Sequence, residues 1–144
     1  MKKIKSVVLL TLAAVICLCF AACGEFKGYD DDDAIAKSSS FSSTYSVESK
    51  LLSSYSLSAN KANGVKRIKD IKIPKDPEFD LTLTLEGGRC KIVLVKDKKV
   101  YKVCEGFTAG PVTLTLEAGT YSLRLVAESA AKVKFTFKYD GYGG

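Results

Sequence analysis

The stretch Phe79-Asp80-Leu81-Thr82-Leu83-Thr84-Leu85 alternates apolar and polar side chains at every position. Successive side chains of a β-strand point to opposite faces of a sheet, so a period of two predicts a half-buried strand. Residues 112–116, 121–125 and 133–139 show the same alternation. Four such segments within 61 residues leave little room for helices.

Short sequences between the alternating segments predict turns that set the register of neighbouring strands. A two-residue loop at Gly87-Gly88 would place apolar residues opposite one another, namely Leu85 with Cys90, Leu83 with Ile92 and Leu81 with Leu94. Ala118-Gly119 would do the same for Leu116 with Tyr121, Leu114 with Leu123 and Val112 with Leu125. Asn63-Gly64 is expected to turn between strands over 54–59 and 65–73, and prolines at 74 and 77 to interrupt the pairing that follows.

These segments predict one all-β domain over residues 45–139, with a flexible tail at 140–144. About eight strands of this length suit an antiparallel β-sandwich of the jelly-roll-like type. The domain carries 17 Lys and Arg against 10 Asp and Glu, a net charge of +7.

The first 22 residues have the layout of an export signal. Lys2, Lys3 and Lys5 precede an apolar run over 7–22 that only Thr11 interrupts. Such a run of 16 residues is short for a bilayer span, which needs about 20. The sequence therefore predicts a signal peptide, helical in its apolar part, over residues 1–22.

Phe20-Ala21-Ala22-Cys23 resembles the lipobox of bacterial lipoproteins. The resemblance implies a diacylglyceryl group on the Cys23 thiol, cleavage just before Cys23, and attachment to the extracytoplasmic face of the cell membrane. Two acyl chains give a stable anchor, whereas one gives only marginal binding. An ordinary secretory cut after Gly24 and an uncleaved anchor helix are the two alternatives.

Residues 23–44 are predicted to be a flexible acidic and Ser-rich tether. From residue 24 onward the segment has a net charge of −3 and few aliphatic residues, too few to form a core of its own. A flexible chain of this length reaches about 25 Å. Asp30 to Asp33 do not form a calcium-binding EF-hand loop, because the sixth and twelfth positions counted from Asp30 are Ile35 and Phe41 instead of Gly and Glu.

Cys90 and Cys104 are the two cysteines that remain if Cys23 is lipidated and the signal is removed. An exported domain permits a disulfide between them, worth about 3 kcal/mol for a loop of this size. A three-residue loop at Lys96-Asp97-Lys98 would place them opposite each other, whereas a two- or four-residue loop would pair Leu94 with Tyr101. A bulge near Glu105 would reconcile the two registers, so the disulfide stays a possibility.

The stretch Leu116-Glu117-Ala118-Gly119-Thr120-Tyr121-Ser122-Leu123-Arg124-Leu125, with residues 133–139, resembles the closing strands of the bacterial pre-peptidase C-terminal family and of carbohydrate-binding-like sandwiches. The resemblance implies a jelly-roll-like accessory module. It implies no catalytic residue.

The residue inventory argues against catalysis and against a metal cofactor. The chain has no histidine, so Ser–His and Cys–His nucleophile systems and a closed zinc site are excluded. Asp76, Glu78 and Asp80 flank prolines and fit loops and strand ends better than a glycosidase pair. We expect a protein that is not an enzyme and needs no cofactor.

Charge and exposed aromatic residues indicate the expected partners. A basic surface attracts anionic cell-wall polymers or acidic lipid heads, although strand lysines also keep sheet edges from aggregating. Nucleic acid is not expected outside the membrane. Five tyrosines are candidates for stacking on a ligand, with core packing or chance exposure as the alternative: Tyr29, Tyr45, Tyr55, Tyr101 and Tyr142. The sequence thus predicts a non-catalytic binding module or, alternatively, a structural component that assembles with other envelope proteins.

Overall fold

The structure is a computed structural model and describes residues 26–51 and 54–138. In chain order its elements are helix α1 (Asp32–Lys37) and strands β1 (Phe41–Ser42), β2 (Tyr45–Lys50), β3 (Ser54–Ile73), β4 (Glu78–Glu86), β5 (Arg89–Lys96), β6 (Lys99–Glu105), β7 (Thr108–Thr113) and β8 (Gly119–Lys138). Within the described residues the fold is therefore eight antiparallel strands and one short helix, and the sheet does not close into a barrel. The prediction of an all-β, sandwich-like fold is confirmed.

Two 20-residue strands, β3 and β8, pair with each other along their whole length and bend midway. The bend in β3 coincides with a register shift between Ala62 and Gly64. Gly64 has a φ of +107°, and a β-carbon there would lie 2.1 Å from the carbonyl oxygen of Ser40. Only glycine fits such a close approach of two backbones.

The bends divide the sheet into two halves that face each other. The first half-sheet contains β2, residues 54–60 of β3, residues 132–138 of β8, β4 and β7. The second half-sheet contains residues 65–73 of β3, residues 119–127 of β8, β5 and β6. The end of the molecule at which both long strands bend is called the bend end below.

The main core fills the space between the half-sheets. Phe79, Phe135 and Phe137 of the first half-sheet belong to the same buried cluster as Ile92 and Leu123 of the second. Fully burying a side chain of this kind stabilises the fold by about 1.5–3 kcal/mol. The alternating residues identified in the sequence supply this core.

The predicted partners of three turns are wrong. Gly87-Gly88 does not close a hairpin, because β4 pairs with β7 and β8 while β5 pairs with β6 and β8. Ala118-Gly119 does not either: β7 ends at Thr113 and pairs with β4, and β8 begins at Gly119. Asn63-Gly64 lies within the continuous strand β3. For the first two turns the apolar face was predicted correctly but the neighbouring strand was not.

One other turn prediction is confirmed, and the structure selects one of the two registers left open for the loop after β5. β3 ends at Ile73, immediately before the first of the two prolines, and β4 starts after the second. Asp97-Lys98 forms a two-residue loop between β5 and β6, which pairs Leu94 with Tyr101 as the better-packed register requires.

The prediction of a flexible tether is wrong for the part of residues 23–44 that the structure describes. Residues 26–37 lie on the outer face of the second half-sheet, where Tyr29 and Ile35 are fully buried in a second core with Val65, Val93 and Val126. The segment has few apolar residues of its own, but the outer face of the sheet supplies the rest. The folded unit therefore includes residues 26–44 as well as the predicted domain; the signal peptide and the tail at 140–144 lie outside the described residues.

Candidate functional site

The predicted lipid attachment site, Cys23, lies outside the described residues. Within the residues that the structure describes, no helix has the length and apolar character needed to cross a membrane. The first described residue is Phe26, whose backbone N–H donates a 3.0 Å hydrogen bond to Oδ1 of Asn63 at the bend end.

Cys90 and Cys104 both face the core and both are free thiols. A bulge between the pairs Ile92–Cys104 and Val93–Lys102 makes this possible. The extra residue in β6 turns Cys104 inward while Leu94 stays opposite Tyr101. The bulge lies two residues before the position expected from the sequence, and the two thiols are not joined in the structure.

Burial governs the chemistry of both thiols. It raises the pKa of Cys90 to about 12, with smaller contributions from the neighbouring Cys104 and Glu105. Burial also raises the pKa of Cys104. Because the thiolate is the nucleophile, neither cysteine is set up to react near neutral pH.

Tyr29 holds the N-terminal segment, residues 26–37, against the second half-sheet. Its hydroxyl donates a 2.7 Å hydrogen bond to Oε2 of Glu105. The guanidinium carbon of Arg89 lies 3.9 Å and the Nζ of Lys91 4.5 Å from its ring centroid. Arg89 also binds both carboxylate oxygens of Asp30, at 2.8 and 2.6 Å. Tyr29 is therefore structural and is unavailable to an external ligand.

Arg124 holds the C-terminal end of the same segment against the second half-sheet. Its side chain is buried, and one guanidinium nitrogen donates to the carbonyl oxygens of Ile35 and Ala36 at 2.7 and 2.8 Å. These carbonyls belong to the last turn of α1, where a cation also interacts favourably with the helix dipole. Burial lowers the pKa of Arg124, with Arg67 adding to the effect.

The outer face of the first half-sheet is a regular array of polar side chains. Ser56, Thr136 and Thr82 lie side by side across three strands. The next row on that face consists of Ser58, Lys134 and Thr84. A third row aligns Asn60, Lys132 and Glu86, with Tyr45 of β2 next to Asn60. Among the described residues, no segment comparable to 26–37 covers this face.

A groove of about 430 Å³ lies in this face near the bend end. The side chains along it that offer polar or aromatic contacts are Ser58, Asn60, Thr84, Glu86, Phe107, Lys132 and Lys134. Phe107 is 76% exposed, which is unusual for so large an apolar side chain. Lys132 lies 4.0 Å from Glu86, an exposed pair of little energetic weight. No ion pair to Lys134 is present in the described part of the chain, so its ammonium group is available to a ligand.

The tyrosines predicted as possible ligand contacts differ in their exposure to solvent. Tyr29 and Tyr55 are buried, Tyr101 is half-buried, and Tyr45 is 60% exposed beside the groove. Tyr142 lies outside the described residues. Tyr121 is in the core, as the apolar alternation predicts. Phe107 was not singled out from the sequence, although its position directly after Gly106, outside any alternating segment, was a usable signal.

The polar groups along the groove can bind a ligand. No group of three or more Cys, Asp or Glu side chains in the described ranges is arranged to hold a metal ion. The groove combines two ammonium groups, one carboxylate (Glu86), hydroxyl and amide groups and one exposed ring. The excess of one positive charge suits an anionic or polyhydroxylated ligand.

Comparison with protein-family models, with curated proteins and with solved structures finds no match to this chain.

Proposed function

We propose that this protein is an extracytoplasmic lipoprotein, anchored to the cell membrane through Cys23, whose β-sandwich is a non-catalytic binding module. The lipobox-like sequence at 20–23 and the absence of histidine from the whole chain support this proposal. The first residue that the structure describes, Phe26, lies three residues after Cys23, so an anchor at Cys23 would hold the described domain close to the membrane.

The observation that carries the binding role is the difference between the two outer faces of the sandwich. The second half-sheet has an apolar outer face covered by residues 26–37, including the buried residues Tyr29 and Ile35. The first half-sheet has a polar, ordered outer face with a groove and an exposed aromatic ring. A ligand that contacts the Phe107 ring and hydrogen-bonds to the polar side chains around it would use both features of this face.

The ligand class that fits best is an anionic envelope polymer, such as a phosphate-bearing wall polymer. Lys134 lies between the hydroxyl-bearing residues Ser58 and Thr84. An ammonium group flanked by two hydroxyl groups can donate hydrogen bonds to the oxygens of one phosphate group. The net charge of +7 over residues 45–139 would attract such a polymer at long range.

The test is retention of the purified chain 24–144, which contains both described cores, on isolated cell walls. Lys134→Ala and Phe107→Ala are each expected to reduce retention about fivefold or more, and retention should fall as salt is added. Lys72→Ala is the matched control, because it removes the same charge from an exposed position on the second half-sheet. Walls stripped of phosphate polymers should retain none of the variants.

Equal losses for Lys134→Ala and Lys72→Ala would contradict the groove as the binding site, since binding would then follow net charge alone. Unchanged retention on stripped walls would contradict the ligand class. Circular dichroism of every variant checks that the fold is intact.

A structural role in assembly is the second candidate, and the edge strand β2 favours it. In the described part of the chain β2 pairs only with β3, and its Tyr45 and Val47 are 60% and 51% exposed. An uncovered strand edge is a template for pairing with another chain. Co-purification of a defined protein after mild detergent extraction, lost in Val47→Lys, would favour this role over polymer binding.

A further inference from the structure

The edge strand β2 carries exposed apolar side chains along one of its two faces. Tyr45 and Val47 are 60% and 51% exposed, and Leu51, directly after the strand, is 64% exposed. Because side chains two or four residues apart point to the same side of a strand, all three lie on the outer face of the first half-sheet. Exposed apolar side chains that share one face of an edge strand mark a candidate docking surface for another chain.

The backbone of β2 offers hydrogen bonds along the side that faces away from β3. The N–H of Leu51 donates a 2.9 Å hydrogen bond to the carbonyl oxygen of Ser54 on β3. Bonded and non-bonded residues alternate along an antiparallel pair, so residues 45, 47 and 49 also direct their N–H and C=O groups toward β3. Residues 46, 48 and 50 direct theirs outward, and no strand in the described part of the chain pairs with that side.

Two other edge strands carry features that hinder pairing. β7 contains Pro111, which has no N–H to donate, and Gly110, which has a φ of +104°. β6 contains a bulge and the lysines Lys99 and Lys102. Prolines, bulges and lysines are common means by which proteins keep sheet edges from pairing. By contrast, β2 pairs with β3 over 6 residues without a register shift, so its backbone is regular enough to accept another strand.

The sequence around Ser49 is complementary to itself in the antiparallel direction. Residues 47–51 read Val-Glu-Ser-Lys-Leu. When two copies pair about Ser49, Glu48 lies opposite Lys50, and Val47 lies opposite Leu51. Opposite charges and apolar side chains that face each other across a strand pair are favourable, whereas like charges directly opposite are destabilising. Only the register centred on Ser49 places Glu48 opposite Lys50, and a register centred on either of these residues would place like charges together.

We propose that two copies of this chain form a dimer in which their β2 strands pair antiparallel about Ser49. This inference rests on the assembly role proposed above for β2 and names its partner as a second copy of the chain. The backbones of Glu48 and Lys50 exchange hydrogen bonds with those of Lys50 and Glu48 in the second copy, and the two first half-sheets become one continuous sheet. Val47 of each copy packs against Leu51 of the other on the outer face.

The charged side chains at this edge do not have to give up their present partners. The Glu48 carboxylate lies 3.6 Å from the ammonium groups of Lys50 and Lys66 in its own chain. The Lys50 side chain is 63% exposed, so it is also accessible to the Glu48 carboxylate of a second copy. Against an arbitrary strand these charges would oppose pairing, whereas a second copy supplies the opposite sign at each position. The edge is therefore selective for its own sequence.

One strand pair makes a small interface, so the dimer is expected to be weak and reversible. Interfaces below about 1,200 Å² in total usually belong to transient complexes, and a Kd on the order of 10–100 μM is expected. Because the paired strands run in opposite directions, the two bend ends point away from each other. Copies anchored through Cys23 near the bend end would therefore pair across two facing membranes, and not side by side in one membrane.

Analytical ultracentrifugation of the chain 24–144, at concentrations from about 1 to 300 μM, tests the proposal. A reversible monomer–dimer equilibrium is expected. Glu48→Lys and Lys50→Glu should each weaken the dimer at least about tenfold, because like charges then lie opposite each other. An equal mixture of these two variants should restore the dimer, because each charged position then lies opposite a charge of the other sign.

A third variant tests the apolar contact without touching the charges. Val47→Lys replaces an exposed apolar side chain on β2 and should also weaken the dimer at least about tenfold. Thr113→Lys is the matched control, because it adds the same charge at an exposed position on β7, the strand at the other edge of the first half-sheet. Thermal unfolding of every variant checks that the monomer is folded, since Glu48 also contacts Lys66.

Several results would overturn the proposal. The chain might stay monomeric at the highest concentration, or the mixture of folded charge variants might fail to regain the dimer. Equal effects of Val47→Lys and Thr113→Lys would place the interface elsewhere. A monomeric chain that co-purifies with a different protein would overturn this inference and leave the assembly role of β2 intact. Wall retention is measured well below the Kd of the dimer, so its result is independent of this one.

Discussion

The ring of Tyr29 lies between two cations and its hydroxyl binds a carboxylate, so one side chain links the N-terminal segment to β5 and β6. A cation over an aromatic face contributes about 0.5–2 kcal/mol, depending on how far it is desolvated. The sequence alone gave no reason to assign Tyr29 this role, because its partners Arg89, Lys91 and Glu105 are at least 60 residues away. Long-range contacts of this kind leave no periodic trace in a sequence.

The hydrogen bond from Tyr29 makes the stability of the fold sensitive to acid. It is the main cause that lowers the pKa of Glu105, with Lys102, Lys91 and Arg89 adding to the effect. A carboxylate whose pKa is lowered in the folded state stabilises the fold above its unfolded pKa, near 4.5, and loses that effect as the pH falls through the lowered value. Tyr29→Phe should therefore have a lower thermal midpoint than wild type at pH 7. The difference between the two midpoints should become smaller below about pH 4, because the wild-type protein then loses the contribution of the Glu105 carboxylate.

The measurement is thermal unfolding of both proteins between pH 7 and pH 2. Asp30 and Glu48 also have lowered pKa values, so the wild-type curve alone would not isolate Glu105. Tyr101→Phe, which changes a half-buried tyrosine in the main core, serves as the control and should show a gap that does not depend on pH. A constant gap for Tyr29→Phe would contradict the assigned role of the hydrogen bond.

At the scale of elements, alternation predicted which residues are buried but not which strands are neighbours. Leu81 and Leu83 are in the core, as their period of two requires. Their partners are Phe137 and Phe135 of β8, and not the residues just beyond Gly87-Gly88. A strand with one apolar face can pair with any strand that has a matching pattern. The pattern therefore cannot distinguish a hairpin from a connection that crosses between the half-sheets.

The crossing from β4 to β5 depends on a glycine at position 88. Gly88 has a φ of +64°, and a β-carbon there would lie 2.2 Å from the carbonyl oxygen of Ser129. Gly88→Ala should therefore destabilise the fold by about 3 kcal/mol or more, because the backbone at Ser129 must move. Gly106→Ala is the control, with a φ of +69° and no neighbouring atom within 4 Å of the added carbon.

Denaturant unfolding of the two variants separates the cost of a positive φ, which both positions share, from the cost of the close backbone contact, which only Gly88 makes. Gly106→Ala should cost only the left-handed backbone strain, about 1 kcal/mol. Similar losses in the two variants would contradict the close approach of the Gly88 turn to β8.

At the scale of the whole molecule, the all-β fold class could be predicted from the sequence. The groove in one outer face and the segment that covers the other could not. The segment 26–37 was predicted to stay unfolded because its own apolar content is low. Its two buried side chains, Tyr29 and Ile35, are enough because the sheet already presents Val65, Val93 and Val126 on that side. Composition within a segment does not show what a distant surface supplies.

The fold of residues 26–37 sets the distance between the proposed anchor and the sandwich. Only Gly24 and Glu25 separate Cys23 from Phe26, and three residue steps span at most about 11 Å. In vesicles carrying the lipidated chain, a fluorophore at Lys61→Cys should transfer energy strongly to an acceptor in the lipid headgroups. A fluorophore at Lys98→Cys, in the loop between β5 and β6, should transfer much less.

A ten-residue Gly-Ser insertion between Glu25 and Phe26 is the control, and it should remove most of the difference between the two labels. Equal transfer from both labels in the unmodified chain would show that the sandwich has no fixed orientation at the membrane.

The length of β3 also sets how far the open end of the sandwich would lie from the membrane. Tyr55 lies eight residues from Asn63 along this strand, a rise of about 26 Å, and Asn63 holds the first described residue, Phe26. With the bend end resting on the bilayer, the end of β2 at Lys50, which pairs with Tyr55, would stand well above the headgroups. A protein that extended the sheet there would approach from the aqueous side, and not by lateral diffusion within the leaflet that holds the anchor.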